Sequence, residues 1–169
     1  MEAGKLLKPD AEPFQLSLRI RHPSLDPDEV SREFGIVPEH SFRAGEPRPS
    51  RSGLAPASVH LESYWLGALS PAASPFRQSS RADPSLQLIR ERLRVTGTAT
   101  QALGWALALA TRFLSAHAQT LRRIGSEGGQ ISLLVNLSSD EVSSFQVTPE
   151  VSRVLSELGI AAEFEFAHE

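Results

Sequence analysis

The segment from Ala99 to Ile124 constrains the fold more than any other stretch of the chain. Leu103, Leu107, Ala110, Leu114, His117, Leu121 and Ile124 recur at alternating four- and three-residue steps, one stripe of a helix with a period near 3.6. Ala102, Ala106, Leu109, Phe113 and Ala116 widen that stripe into a broad apolar face, while Arg112, Gln119, Arg122 and Arg123 mark the wet side. One long helix is expected over 99–124. Such a helix must bury its face against a sheet or other helices, so the stripe demands a core and specifies no reaction.

With 169 residues the chain is long enough for one domain around a single core. A hydrophobic content of 40% with 22% charged residues is ordinary for a globular protein. The absence of cysteine excludes disulfides, a thiol nucleophile and thiolate metal sites. The first 13 residues carry Lys5 and Lys8 but no continuous apolar run, so they do not read as a secretory signal. The most apolar window, Ala102 to Ala110, is closed by Arg112, far short of the roughly 20 residues that span a bilayer. The expectation is a soluble, cytoplasmic protein with no membrane contact: a flexible N-terminal segment over 1–13 and a single domain over 14–169.

Taken in order, Phe14, Leu16, Leu18 and Ile20 alternate with Gln15, Ser17, Arg19 and Arg21, a strand with one face on the core. Asp26-Pro27-Asp28-Glu29 starts a helix, with Asp26 as cap, Pro27 at the first position and Glu29 at capping-box spacing; Val30 and Phe34 form its buried side and Gly35 ends it. Pro38 to Pro56 reads as a long loop with a short edge strand near Ser41 to Ala44. His60 to Leu69 reads as a second strand with Leu61, Ser63 and Trp65 on one face. After a Pro-broken loop, Asp83-Pro84 leads into a helix carrying Leu86, Ile89 and Leu93, and Gly97 separates it from the long helix. Ile131, Leu133, Val135 and Leu137 mark a third strand, Thr148-Pro149-Glu150 opens a last helix closed by Gly159, and Phe164 and Phe166 alternate with Glu163 and Glu165 on a final strand. Few strands with amphipathic helices between them predict an α+β two-layer sandwich. Its sheet would hold four or five mostly antiparallel strands, with one long and two or three shorter helices on one face.

These segments also carry a resemblance. Leu18-Arg19-Ile20 running into Asp26-Pro27-Asp28-Glu29-Val30, then Phe34-Gly35-Ile36-Val37-Pro38, the Arg43-Ala44-Gly45-Glu46 turn and Trp65 resemble the bacterial family catalogued as domain of unknown function 4279. So do Phe145-Gln146-Val147-Thr148-Pro149-Glu150 and Leu158-Gly159-Ile160 before a Phe-rich strand. The similarity runs from Phe14 to Phe166 and rests on order and spacing. It implies one small α+β domain and supplies no catalytic residues.

Nothing in the chain composes a catalytic or cofactor motif. GxSxG, SxxK, HExxH, GxGxxG and the Walker loop are absent, and the glycines from Gly125 to Gly129 follow a helix, the wrong context for a phosphate cradle. No catalytic residue, metal ligand set or cofactor is therefore assigned. The most polar stretch is His40, Phe42, Arg43, Glu46, Arg48 and Arg51, where arginine forks can grip carboxylates or phosphates and Phe42 can stack on a ring. The competing account has Arg43 and Glu46 bracing each other across Gly45. His60 and Glu62 share a face of their strand and, with His40 and Glu39, are the nearest thing to a metal cluster, but no third ligand stands at a recognised spacing. Tyr64 and Trp65 point to opposite faces, one into the core and the other available as a contact anchor.

Charge is unevenly spread. Residues 1–125 hold 16 basic against 12 acidic side chains, whereas from Ser126 onward Arg153 alone faces eight acidic residues, among them Glu163 and Glu165. Such an end steers a basic partner and disfavours nucleic acid. The first expectation is a non-catalytic binding protein acting through protein–protein contacts, with an immunity-type inhibitor of a basic, toxin-like enzyme as the preferred form. Its binding residues would be drawn from His40, Phe42, Arg43, Glu46, Arg48, Tyr64, Trp65, Glu163 and Glu165. The alternative is a small-ligand-binding or hydrolytic domain using a His/Arg/Glu cluster between residues 39 and 62. Oligomeric state is left open.

Overall fold

In the computed structural model the described residues are 14–48, 58–69, 98–138, 142 and 144–167. The expected N-terminal segment over 1–13, the loop centre at 49–57 and the helix anticipated after Asp83-Pro84 lie outside them.

Five strands form one sheet: β1 (Phe14–His22), β2 (His40–Phe42), β3 (Ser63–Ala68), β4 (Gln130–Ser138) and β5 (Ile160–Ala167), in the order β2-β3-β1-β4-β5. The ladders β2–β3, β3–β1 and β1–β4 are antiparallel and β4–β5 is parallel. The chain is thus α+β with a mixed, mostly antiparallel sheet. β1 and β2 run parallel with β3 inserted between them, the split β-α-β arrangement, and a second crossover adds β5 as an outer strand.

Four described helices accompany the sheet: α1 (Pro27–Phe34), α2 (Ala99–Ala116), α3 (Ala118–Ser126) and α4 (Pro149–Glu157). The ends of α1 follow from local chemistry. The Asp26 carboxylate accepts from the Asp28 N–H at 2.9 Å, and Gly35 takes the left-handed conformation, φ 65°, that a side chain would resist. Glu29 lies 4.0 Å from Arg123 of α3. Thr98 and Gln101 make a reciprocal capping box at the start of α2, and Thr148 caps α4.

The single rod expected over 99–124 is two helices, because the chain breaks at His117. Its backbone N–H reaches both Phe113 O (3.2 Å) and Leu114 O (3.1 Å), while its Nδ1 sits 2.9 Å from the same Phe113 carbonyl. A side chain that crowds one rung of the ladder in this way interrupts a helix. The apolar stripe survives the break: Leu103, Leu107, Ala110, Leu114, Leu121 and Ile124 are all buried, whereas Ala116 turns outward.

These residues meet Leu16, Leu18, Ile20, Trp65, Leu133 and Val135 of the sheet in one cluster. Phe34 stands at its centre, edge-on to Trp65 (5.7 Å), Phe113 (5.9 Å) and His117 (5.1 Å), contacts worth about 0.5–1.5 kcal/mol each beyond area burial. One expectation about β3 is corrected. Leu61 lies before the strand begins at Ser63, within a bend, and is 86% exposed, so it shares no face with Trp65. Among the described residues no helix is long and apolar enough to cross a membrane.

Candidate functional site

The period of two along each strand gives the sheet a second face, opposite the core. Register places one row of side chains across four strands, Phe42, Tyr64, Arg21 and Gln130, and a parallel row of His40, Leu66, Arg19, Ser132 and Ala161. Ser17, Ser132 and Leu134 are buried even on this face, while Arg21, His40, Gln130 and Glu165 are exposed.

At the β2 edge the row is aromatic. Phe42 stacks on His60 with ring centroids 3.6 Å apart and on Tyr64 at 5.1 Å, and His40 lies edge-on to both Phe42 and Tyr64 at 6.2 Å. His60 reaches the stack because two backbone hydrogen bonds, Gly45 N–H to His60 O and His60 N–H to Glu46 O, fold the following segment back along the turn. Tyr64 and Trp65 do point to opposite faces. Trp65 is fully buried and has no surface to offer a partner, whereas Tyr64 is half-buried in the stack.

Arg43 is drawn away from this cluster. Its guanidinium donates to Asp26 (2.6 Å) and Asp28 (2.5 Å), so it clasps the cap of α1 from the neighbouring turn. Glu46 instead receives the Arg43 backbone N–H at 3.0 Å. The turn is braced as the sequence suggests, but through the main chain, and the arginine fork is used across 17 residues of sequence. The hydrogen bond from Arg43 holds the Asp26 carboxyl below its ordinary titration range and raises the guanidinium in return. Arg48 is exposed, with its backbone N–H bonded to Ser58 O; Arg51 lies outside the described residues. Glu62 pairs loosely with Arg21 at 3.8 Å and does not join His60 in a cluster. No group of three or more His, Cys, Asp or Glu fit to hold a metal occurs among the described residues.

Toward β5 the face is ionic. Arg19 forms a short ion pair with Glu163 and donates to the Ser132 hydroxyl at 3.5 Å. The hydrogen bond to Ser132 is the main reason the Glu163 carboxyl titrates below its usual range; desolvation opposes the shift and Arg19 reinforces it. Glu165, two residues on, is exposed, and Phe166 on the reverse side of the same edge strand is 53% exposed. Arg19, Arg21, Gln130 and Ser132 were not singled out by sequence reasoning. Their signal was present as two arginines spaced two apart on an alternating strand, but their neighbours come from β4 and β5, more than 100 residues away.

The family described as Domain of unknown function (DUF4279) matches residues 12–167. No curated protein and no solved structure matches the chain.

Proposed function

The chain belongs to the family of unknown function DUF4279, and from that premise we propose that it is a non-catalytic binding protein acting through protein–protein contact. The observation that carries this reading is the outer strand β5. Among the described residues it is paired on one side only, and it presents exposed Glu165 on one face and exposed Phe166 on the other at the edge of the sheet. The helix that precedes it, α4, adds exposed Glu150 and Glu157, with exposed Arg153 between them in sequence. An edge strand with an exposed carboxylate on one face and an exposed aromatic on the other suits a basic partner that grips the edge, the charge speeding encounter and the ring supplying contact area. Within this class an immunity-type inhibitor fits best, its acidic edge complementing the basic cleft of a toxic enzyme.

The small-ligand or hydrolytic alternative has less support in the 39–62 region. His40, Phe42 and His60 converge there, but Arg43 and Glu46 are engaged in the α1 cap and the turn. The experiment is native co-purification with the full chain as bait, from cells that naturally express it, at low and at high salt. Recovery of a basic protein that is released by salt supports the reading; recovery of nothing at low salt contradicts it.

A further inference from the structure

Between the aromatic stack and the β5 edge, where β1 ends and β4 and β5 begin, lies a concavity of about 370 Å³. Its size falls within the range of small-molecule sites. Arg19, Arg21, Gln130, Ser132, Ala161 and Glu163 line it, and Gly129 and Gly159 lie at its rim. The strand period sets Arg19 and Arg21 on the same side, and the β1–β4 register seats Ser132 beside Arg19 and Gln130 beside Arg21. Among the lining side chains two guanidinium groups stand against one carboxylate, and Glu62, outside the lining, is the second counter-charge.

The two arginines are differently occupied. Arg19 is committed to Glu163 and Ser132. Arg21 has its ion partner, Glu62, 3.8 Å from Nε, beyond hydrogen-bonding distance, and the two side chains are 44% and 49% exposed. A pair that open contributes little, so the Arg21 fork keeps its donors for a better acceptor. A guanidinium stays charged at every physiological pH and matches the paired oxygens of a carboxylate or a phosphoryl group.

We propose that this concavity binds a small monoanion through carboxylate or phosphoryl oxygens, with Arg21 as the bidentate fork and Gln130 and Ser132 as flanking hydrogen-bonding groups. The Arg19–Glu163 pair is the fixed, self-neutralised wall beside Ser132, so the charge offered to the ligand is that of Arg21. Glu62 is the competitor that the ligand displaces. The site shares β5 with the partner reading above but uses neither Glu165 nor Phe166, so either can fail without the other.

The test is titration of the full chain, followed by 1H–15N NMR of the arginine Nε–H and glutamine side-chain signals, with sodium phosphate and with sodium propionate. Sodium chloride at matched ionic strength serves as the control. Saturable shifts at Arg21 and Gln130 with phosphate or propionate, and none with chloride, are expected; the anion that saturates identifies the oxygen chemistry. Arg21→Ala weakens binding about tenfold or more, the loss expected for a charge-assisted pair of hydrogen bonds. Arg21→Lys, which keeps the charge and loses the fork, also weakens it. Glu62→Gln, which removes the competitor, tightens it. Both positions are well exposed, so the variants keep the fold, and opposite effects of the two substitutions separate a local site from general destabilisation. Absence of saturation with both anions, an equal response to chloride, or binding indifferent to Arg21→Ala overturns the proposal.

Discussion

The indole Nε1 of Trp65 donates a 3.0 Å hydrogen bond to the hydroxyl of Ser31, which in turn donates to the Pro27 carbonyl at 2.8 Å. A strand in the middle of the sheet is thereby tied to the first turn of α1 through a side chain that is fully buried. Ser31→Ala leaves the indole N–H without its acceptor, and the cost of an unsatisfied buried donor is about 1–3 kcal/mol. Urea unfolding monitored by fluorescence measures it. An unchanged midpoint would show that the bond contributes nothing.

Gly67 and Gly104 are expected to respond to alanine with opposite signs. A Cβ on Gly67 would fall 2.3 Å from Cη2 of Trp65 and 2.8 Å from Cγ2 of Ile36, both in the packed core, so Gly67→Ala destabilises by about 1–3 kcal/mol. At Gly104, inside α2, nothing among the described residues lies within 4 Å of the added methyl, and Gly104→Ala stabilises by roughly 0.5–1 kcal/mol through the higher helix propensity of alanine. Thermal denaturation of the two variants beside the parent decides the matter.

The Asp26–Arg43 contact is expected to make stability fall in acid. The Asp26 carboxyl titrates lower in the folded chain than in the unfolded one, because Arg43 bonds its ionised form. Its contribution is therefore complete above the unfolded value, near pH 4, and is lost as the pH falls through the lower folded value. Glu163 behaves with the same sign, through Ser132 first. Arg43→Ala removes the Asp26 part, so its stability declines less steeply than the parent's below about pH 4, while the two curves run parallel near neutrality. Equal slopes in acid would contradict the assignment.

What the sequence reveals and what it hides divide along contact range. The alternation of Leu16, Leu18 and Ile20, the Asp26-Pro27 and Thr148-Pro149 helix starts and the Gly35 stop are encoded within a few residues, and each sits where periodicity places it. The break at His117 is invisible to that reasoning, because the apolar period runs through it undisturbed and the interruption comes from one imidazole crowding one carbonyl. Arg43 illustrates the same limit. Its nearest carboxylate in sequence is Glu46, yet the guanidinium reaches Asp26 and Asp28, which the folding of α1 against the hairpin carries to it. The Arg19–Glu163 pair spans 144 residues and depends on strand order, which no local pattern announces.

The most direct measurement of the binding role is the affinity of the captured partner for the parent chain and for a Glu165→Lys/Phe166→Ser variant, followed across a salt series. Both side chains are exposed on the edge strand, so the fold is retained and only the rim changes. The expected result is a loss of about tenfold or more in affinity, with the parent's association rate falling as salt rises and the variant's nearly flat. A variant that binds as tightly as the parent, with the same salt dependence, would contradict the β5 edge as the binding surface.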